Sequence, residues 1–318
     1  MNIRQAFVSI ILSFASATSF ASSQFALFED LLYWQASQQT TSPWAYVQTE
    51  NDPPGAIYTE PNAYFNWRPG VRVGAMYEPT GYFDAKLYWT YYSTKSKEAI
   101  NAPAGQFLLP EFFNGFTALN LYNAAQLDWQ LKMNTVDFEV GHAFHPIETL
   151  TVRPFVGIKG GTINQSIHSA WQDNFDGVNI YSAREDLKNN FLGMGPSFGV
   201  NGAFAINQWL AIRSHLSAAL MGGRWNIKET FHRTSALLGL ISQTTITSDR
   251  NNAKLGTFMA NYFLGLDWTL NTTATVVIKA GYEMQFWSNQ LRLPMFQALP
   301  VHGDLTLQGA TCGIFIKV

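Results

Sequence analysis

Cysteine is almost absent: a single one, Cys312, stands among 318 residues, so no intramolecular disulfide can form. An isolated thiol of this kind reads as a small apolar strand residue rather than a reactive group. Charge is scarce too. Asp, Glu, Lys and Arg make up 13% of the chain, about half of what a soluble domain usually carries. The formal net charge of −2 removes any electrostatic case for nucleic acid as a partner. Long apolar runs are the third absence. After roughly the first two dozen residues nothing approaches the ~20 consecutive apolar residues of a membrane helix, and mean hydropathy is −0.04. A chain so poor in charge needs surroundings other than bulk water, and without apolar helices it can cross a membrane only with strands.

What the chain does have is aromatics, at 15%, and 24 glycines. Its start, with basic Arg4, apolar Ala6 to Phe14 and small residues at Ser19 and Ala21, reads as an export signal over residues 1–21, cleaved after Ala21. Residues 22–318 then form one domain. Within it a period of two recurs. In VVIKAGYEMQFW, from Val276 to Trp287, one face carries Val276, Ile278, Ala280, Tyr282, Met284 and Phe286, and the other includes Lys279, Glu283 and Gln285. The run from Phe258 to Leu270 keeps the same alternation for longer than the ~5 to 6 residues of an average soluble strand, and long enough for the ~9 to 11 of a membrane-crossing one. Segments at Val71 to Glu78, Phe83 to Tyr91, Leu150 to Lys159 and Leu192 to Asn201 follow the pattern. Between Leu127 and Phe144 the apolar parity switches from odd to even, which predicts a bulge near Asn134.

Connections alternate in length. Those at Pro79 to Gly81, His145 to Thr149, Ile206 to Gln208 and Asn271 to Thr273 are short. Those at Gln35 to Arg68, Lys95 to Ala125, Ser169 to Asn189, Thr230 to Asn252 and Leu291 to Gly303 are long and polar. Aromatics gather near both ends of the strands: Tyr77, Phe83, Phe144 and Trp268 at the short turns, and Trp89, Tyr91, Trp129, Phe258 and Phe286 near the long connections. The pattern predicts an all-β chain, a transmembrane antiparallel up-and-down β-barrel of about ten strands within a range of roughly 8 to 14, with short periplasmic turns and long extracellular loops. The segments GVRVGAMYEPTGYFDAKLYWTYYST (70 to 94), NTVDFEVGHAF (134 to 144), LTVRPFVGIKGG (150 to 161) and NFLGMGPSFGVNG (190 to 202), with LLYWQAS (31 to 37), resemble the pore-forming outer-membrane family typified by the Legionella major outer-membrane protein. That resemblance implies a Gram-negative outer membrane as location and pore formation as activity, with no enzyme chemistry and no cofactor.

If the apolar faces meet lipid, the other faces line a lumen. Arg72, Asp84, Lys86, Asp137, Glu139, Arg153, Lys159, Arg213, Asp267, Lys279 and Glu283 are the predicted pore-lining residues, with Glu78 and Lys317 beside them. Their charges nearly balance, which predicts weak ion selectivity. The leading expectation is a narrow or loop-restricted pore for ions or small polar solutes. The competing one is a non-conducting structural or surface-recognition barrel, since eight-stranded barrels are filled by their own side chains and open channels come with 16 or more strands. A third, weaker reading is a barrel hydrolase using Ser197, in Gly195-Pro196-Ser197-Phe198-Gly199, with His215 placed opposite it. The motif lacks the strand-turn-helix context of a nucleophile elbow. Its small residues suit a close backbone approach better.

His142 and His145, at i and i+3 of a strand, point to opposite faces and predict no metal site. Asn51-Asp52-Pro53-Pro54-Gly55 reads as a solvated turn. Phe107, Leu108, Leu109, Phe112 and Phe113 either fold inward as a plug or pack among the outer loops. Outer-membrane lipid and small solutes or ions are the predicted partners. Self-association, and host or surface ligands held by the loops, are left open.

Overall fold

The computed structural model describes residues 24–40, 44–49, 63–79, 83–110, 122–173, 180–237, 240–271, 274–293 and 301–317. The export signal, the Asn51 to Gly55 turn and the pair Phe112 and Phe113 lie outside them. Thirteen strands follow in order: β1 (Gln24–Thr40), β2 (Ala45–Thr49), β3 (Arg68–Glu78), β4 (Asp84–Asn101), β5 (Gln106–Pro110), β6 (Ala124–Gly141), β7 (Phe144–Ile147), β8 (Leu150–Asp173), β9 (Ile180–Ala205), β10 (Leu210–Leu237), β11 (Leu240–Asn271), β12 (Thr275–Leu293) and β13 (Val301–Lys317). Every pairing is antiparallel, and the large sheet runs β6-β4-β3-β1-β13-β12-β11-β10-β9-β8-β7. A further β6–β8 pairing closes it. Since β7 is a short flap held only by β8, the ring itself has ten strands, and full closure leaves it no exposed edge. β2 and β5 form a separate two-stranded sheet.

Alternation decides which side chains face in. On β8 the odd residues Arg153, Phe155 and Lys159 are buried, while Pro154, Val156 and Ile158 are exposed. The exposed apolar residues form a continuous outer band, from Phe25 and Leu31 on β1 through Phe198 on β9 to Leu264 and Leu266 on β11. Tyr77, Phe83, Phe144 and Trp268 ring its short-turn edge, and Trp89 and Phe258 stand at the other. Trp129 does not join that girdle. It points inward and is 1% exposed. Cys312 sits on the outer face, exposed rather than tucked inside.

β6 corrects the parity argument. It pairs with β4 and β8 without a register shift, so there is no bulge at Asn134. Odd residues face inward along its whole length, and what changes is the chemistry on each side. In the half near the short turns Asp137 and Glu139 face in and Val136 and Phe138 face out; in the other half Leu127, Trp129, Leu131 and Met133 face in and Gln126, Asp128, Gln130 and Lys132 face out. β8, β9 and β10 invert in the same way, with Ile163, Ile167 and Trp171, then Leu187 and Phe191, then Trp225 and Phe231 turned inward. The first half is built for lipid outside, and the second is an ordinary soluble barrel with water outside.

Strand length follows from this. β8, β9, β10 and β11 have 24, 26, 28 and 32 residues, against the ~9 to 11 that a bilayer requires. Much of the sequence predicted as long polar connection, including 180–189 and 230–237, is paired strand standing above the apolar band. The longest hairpin, β10–β11, bends where β11 holds one extra residue opposite Asn226. Asn252 there takes a φ of 57°, which Asn tolerates better than most residues, and its N–H donates to Asn226 Oδ1 at 3.0 Å.

Candidate functional site

The barrel interior has two storeys. In the lower one, within the apolar band, all eleven predicted lumen residues turn inward. Arg72 on β3 faces Asp30 on β1 directly, and its guanidinium contacts Asp30 Oδ2 at 3.3 Å and Glu283 Oε1 at 2.7 Å. Arg72 Nε donates to Thr90 at 3.1 Å, and Lys279 joins Asp30 at 2.9 Å. Across the lumen Arg153 is ion-paired with Asp84 and with Glu139, the latter at 3.1 Å. Lys159 pairs with Asp137 at 2.6 Å, and Arg213 with Asp267. At the periplasmic rim Lys317 reaches Glu78 at 2.8 Å. Removing one partner from such a buried network strands another charge, at a cost of about 3 to 5 kcal/mol.

Asp30 belongs to the network although it was not among the predicted lumen residues. Its signal was available: it alternates with Leu27, Leu31 and Tyr33 in the sense opposite to the lipid face. Lys86 differs from the other basic lumen side chains. Among the described residues it has no ion pair, and its ammonium lies 4.6 Å and 4.8 Å from the centres of the Phe28 and Tyr88 rings. It borders a cavity of about 380 Å³ that reaches from the short-turn end up to Asp30, Arg72, His215 and Glu283.

The upper storey is filled with apolar side chains. Trp34, Trp129, Trp171, Trp225, Trp287, Tyr92, Tyr122 and Phe191 are each less than 2% exposed. They form one cluster with Leu131, Ile167, Leu187, Met259 and Leu305, drawn from nine of the ten ring strands. The β2–β5 sheet joins it from inside the mouth, with Phe107 and Leu108 buried and Trp44 packed 5.6 Å from Trp171. Phe107 and Leu108 thus fold inward. Trp34 and Trp287 form the floor of this core, with Arg72 5.8 Å from the Trp34 ring and Lys159 5.9 Å from that of Trp287.

Also in the upper storey, Glu185 and Glu229 are wholly buried. Burial pushes the Glu185 carboxyl up to about 7, against a hydrogen bond from Ser169 Oγ. Burial and then the nearby Glu185 carboxylate push Glu229 up to about 10. Glu229 is thus set to hold a proton in the folded barrel, and Glu185 exchanges one near neutral pH.

The register separates Ser197 from His215. Ser197 stands opposite Ala219, and His215 opposite Asn201, whose Oδ1 lies 2.8 Å from Nδ1. The other ring nitrogen is 3.0 Å from Ser217. The predicted Ser197–His215 geometry therefore does not form. Glycine near Ser197 has the role its context suggested: a Cβ on Gly195 would run into Leu220 O and come within 2.9 Å of Met221 Cα. A Ser-His-Asp relay does occur on the outer face, where Ser166 Oγ is 3.2 Å from His168 Nε2 and His168 Nδ1 contacts Asp186. It lies on a strand whose main-chain N–H groups are committed to ladders with β6 and β9, so the backbone there offers no oxyanion hole of the main-chain kind.

A closed ten-stranded ring with lipid-facing residues outside and charges inside defines a bacterial outer-membrane β-barrel protein. The family model described as the Legionella pneumophila major outer membrane protein precursor matches residues 19–318. The chain belongs to that family, and its place is the outer membrane. No curated protein matches. Among solved structures, the outer membrane protease OmpT from Escherichia coli is similar at 8% identity over 95% of this chain and 99% of that one, with a TM-score of 0.47. A Pseudomonas aeruginosa FadL homologue is similar at 8% identity over 94% and 90%, with a TM-score of 0.28. The Pseudomonas putida toluene transporter TodX is similar at 7% identity over 96% and 90%, with a TM-score of 0.29. None of these likenesses carries an activity over to this chain.

Proposed function

We propose that this protein works as a closed outer-membrane barrel whose extracellular extension, rather than its lumen, is the functional surface. The observation that carries this reading is the aromatic core of the upper storey. Any solute crossing the barrel would have to displace fully buried tryptophans, the largest apolar side chains in this core. Below them every predicted lumen charge except Lys86 is ion-paired, so the lumen works mainly as scaffold. Two features favour recognition at the tip: the long β10–β11 hairpin, and the apolar Leu240 and Ile241 at its end, exposed by 79% and 72%. Ligands of the cell surface or of a host are the partners such a tip would serve. No catalytic role is assigned to any residue.

Planar-bilayer recording of the refolded full chain tests this: the wild type should show no discrete current steps above detergent background. Regular steps would overturn the closed-barrel reading. A second reading, a gated narrow pore, draws on the cavity beneath the core and on Lys86, which would then attract small anions. It requires the β2–β5 sheet to swing out of the mouth. Under it, a variant lacking residues 103–121 should conduct while the wild type does not, and silence from both favours the closed barrel.

A further inference from the structure

Just above the apolar band the outer face carries cations that no described residue neutralises. Lys132 on β6, Lys188 on β9, Arg224 on β10 and Lys254 on β11 all point outward and are exposed. Each stands four residues beyond the last large apolar residue of the lipid-facing band on its own strand, namely Val136, Leu192, Leu220 and Phe258. At ~3.3 Å per residue and a tilt near 40°, that places them roughly 10 Å above the band, at the level of lipid headgroups. Four strands thus deliver a positive charge to one height.

Among the described residues none of the four makes an ion pair. The acids nearest on this face are engaged elsewhere, Asp128 by Lys97 and Asp186 by Arg184 and His168. Arg224 and Lys254 stand directly opposite each other, and Lys188 stands opposite Lys228. Like charges so placed are destabilising. Lys228 has Asp249 on its other flank, but Lys188 and the Arg224–Lys254 pair have no such relief. Between Lys132 and Lys188 runs a groove of about 330 Å³ lined also by Gln130, Asn164, Ser166 and Asn190. The register sets Lys132 beside Asn164 and Asn190, and Gln130 beside Ser166 and Lys188. Two ammonium groups flanking amide and hydroxyl groups suit a phosphate attached to a sugar, through charge-assisted hydrogen bonds.

We propose that this belt binds the phosphate groups of an anionic glycolipid in the outer leaflet, with Lys132 and Lys188 holding one phosphate in the groove and Arg224 and Lys254 a second. The common height of the cations, and the groove's place directly above lipid-facing strand surface, favour lipid-borne phosphate over a soluble anion. The proposal is independent of whether the lumen conducts.

The full chain in phosphatidylcholine nanodiscs, doped with a bisphosphorylated glucosamine lipid or its dephosphorylated counterpart, provides the test, with retained lipid counted by native mass spectrometry. Wild type should keep the phosphorylated lipid and release the other. A variant carrying Lys132→Gln, Lys188→Gln, Arg224→Gln and Lys254→Gln should retain it roughly tenfold less or weaker still, with its heat-modifiable gel mobility intact. Equal retention by variant and wild type, or equal retention of both lipids, would overturn the proposal. So would inorganic phosphate at millimolar concentration that strips the lipid, which assigns the site to a soluble anion. Should the fourfold variant not fold, wild-type retention must still fall as salt rises, and retention indifferent to salt would sink the idea.

Discussion

Leu264 and Gly265 are neighbours on β11 that face opposite solvents. Leu264 is 46% exposed on the lipid face, so Leu264→Arg should destabilise by about 2 to 4 kcal/mol at mid-membrane. Gly265 faces the interior, where parity alone predicts tolerance of a charge. The structure predicts the opposite, because the tip of the Phe263 ring stands over this glycine and its cross-strand neighbour Gly281. A Cβ at Gly265 would come within 2.6 Å of Phe263 Cζ and 2.5 Å of Ala280 O, so even Gly265→Ala should lower stability by about 1 to 3 kcal/mol through overpacking. Urea unfolding in lipid vesicles measures both, and a neutral Gly265→Ala would show that the ring does not occupy that space. A period of two identifies the face of a side chain, as it did for the eleven lumen charges. It does not report how much room that face has, which is why the fit of Phe263 could not be read from the chain.

At the scale of the element, the long strands β8 to β11 were the hardest to read. Ala183, Leu187 and Phe191 alternate with Arg184, Asp186, Lys188 and Asn190, a sound strand pattern. Its polarity is the reverse of that in the membrane segments, so a search for apolar residues on the lipid parity treats it as loop. The bulge predicted at Asn134 arose from the same reversal. In that part of β9 and β10, outside the apolar band, the buried Glu185 and Glu229 predict a pH response. Folding raises both pKa values above the ordinary carboxylate range, so the folded extension binds the protons more tightly than the unfolded chain does. Its stability from this source is complete below about pH 4.3, the ordinary Glu value. It erodes as pH rises through about 7 and is lost beyond about 10. Amide exchange in residues 180–191 and 222–237 should therefore be faster relative to the intrinsic rate at pH 9 than at pH 5. Glu229→Gln should flatten the difference, and a variant that keeps the full pH dependence would place its origin elsewhere.

The whole molecule is a ring, and its closure joins the two ends of the chain: β1 pairs with β13 from Ala26 against Lys317 to Thr40 against Gly303. Nothing local to either strand announces that partnership, yet an even count of strands with alternating short and long connections implied it. Deleting residues 301–317 should abolish the heat-modifiable band on gels, because a sheet opened at this seam exposes unpaired backbone to lipid. Persistence of the band would mean that the ring closes some other way. The filling of the lumen was not legible, because it depends on how inward side chains from nearly all the strands fit together. The reversal of inside and outside along β6, β8, β9 and β10 also sorts the chain by freedom to change. Above the lipid band, interior residues such as Trp129 and Trp171 are packed into one core, whereas outward residues such as Gln126 and Gln172 face water. Substitutions at those outward positions can therefore accumulate without disturbing the aromatic core, so sequence change along the upper wall should concentrate on its outer face.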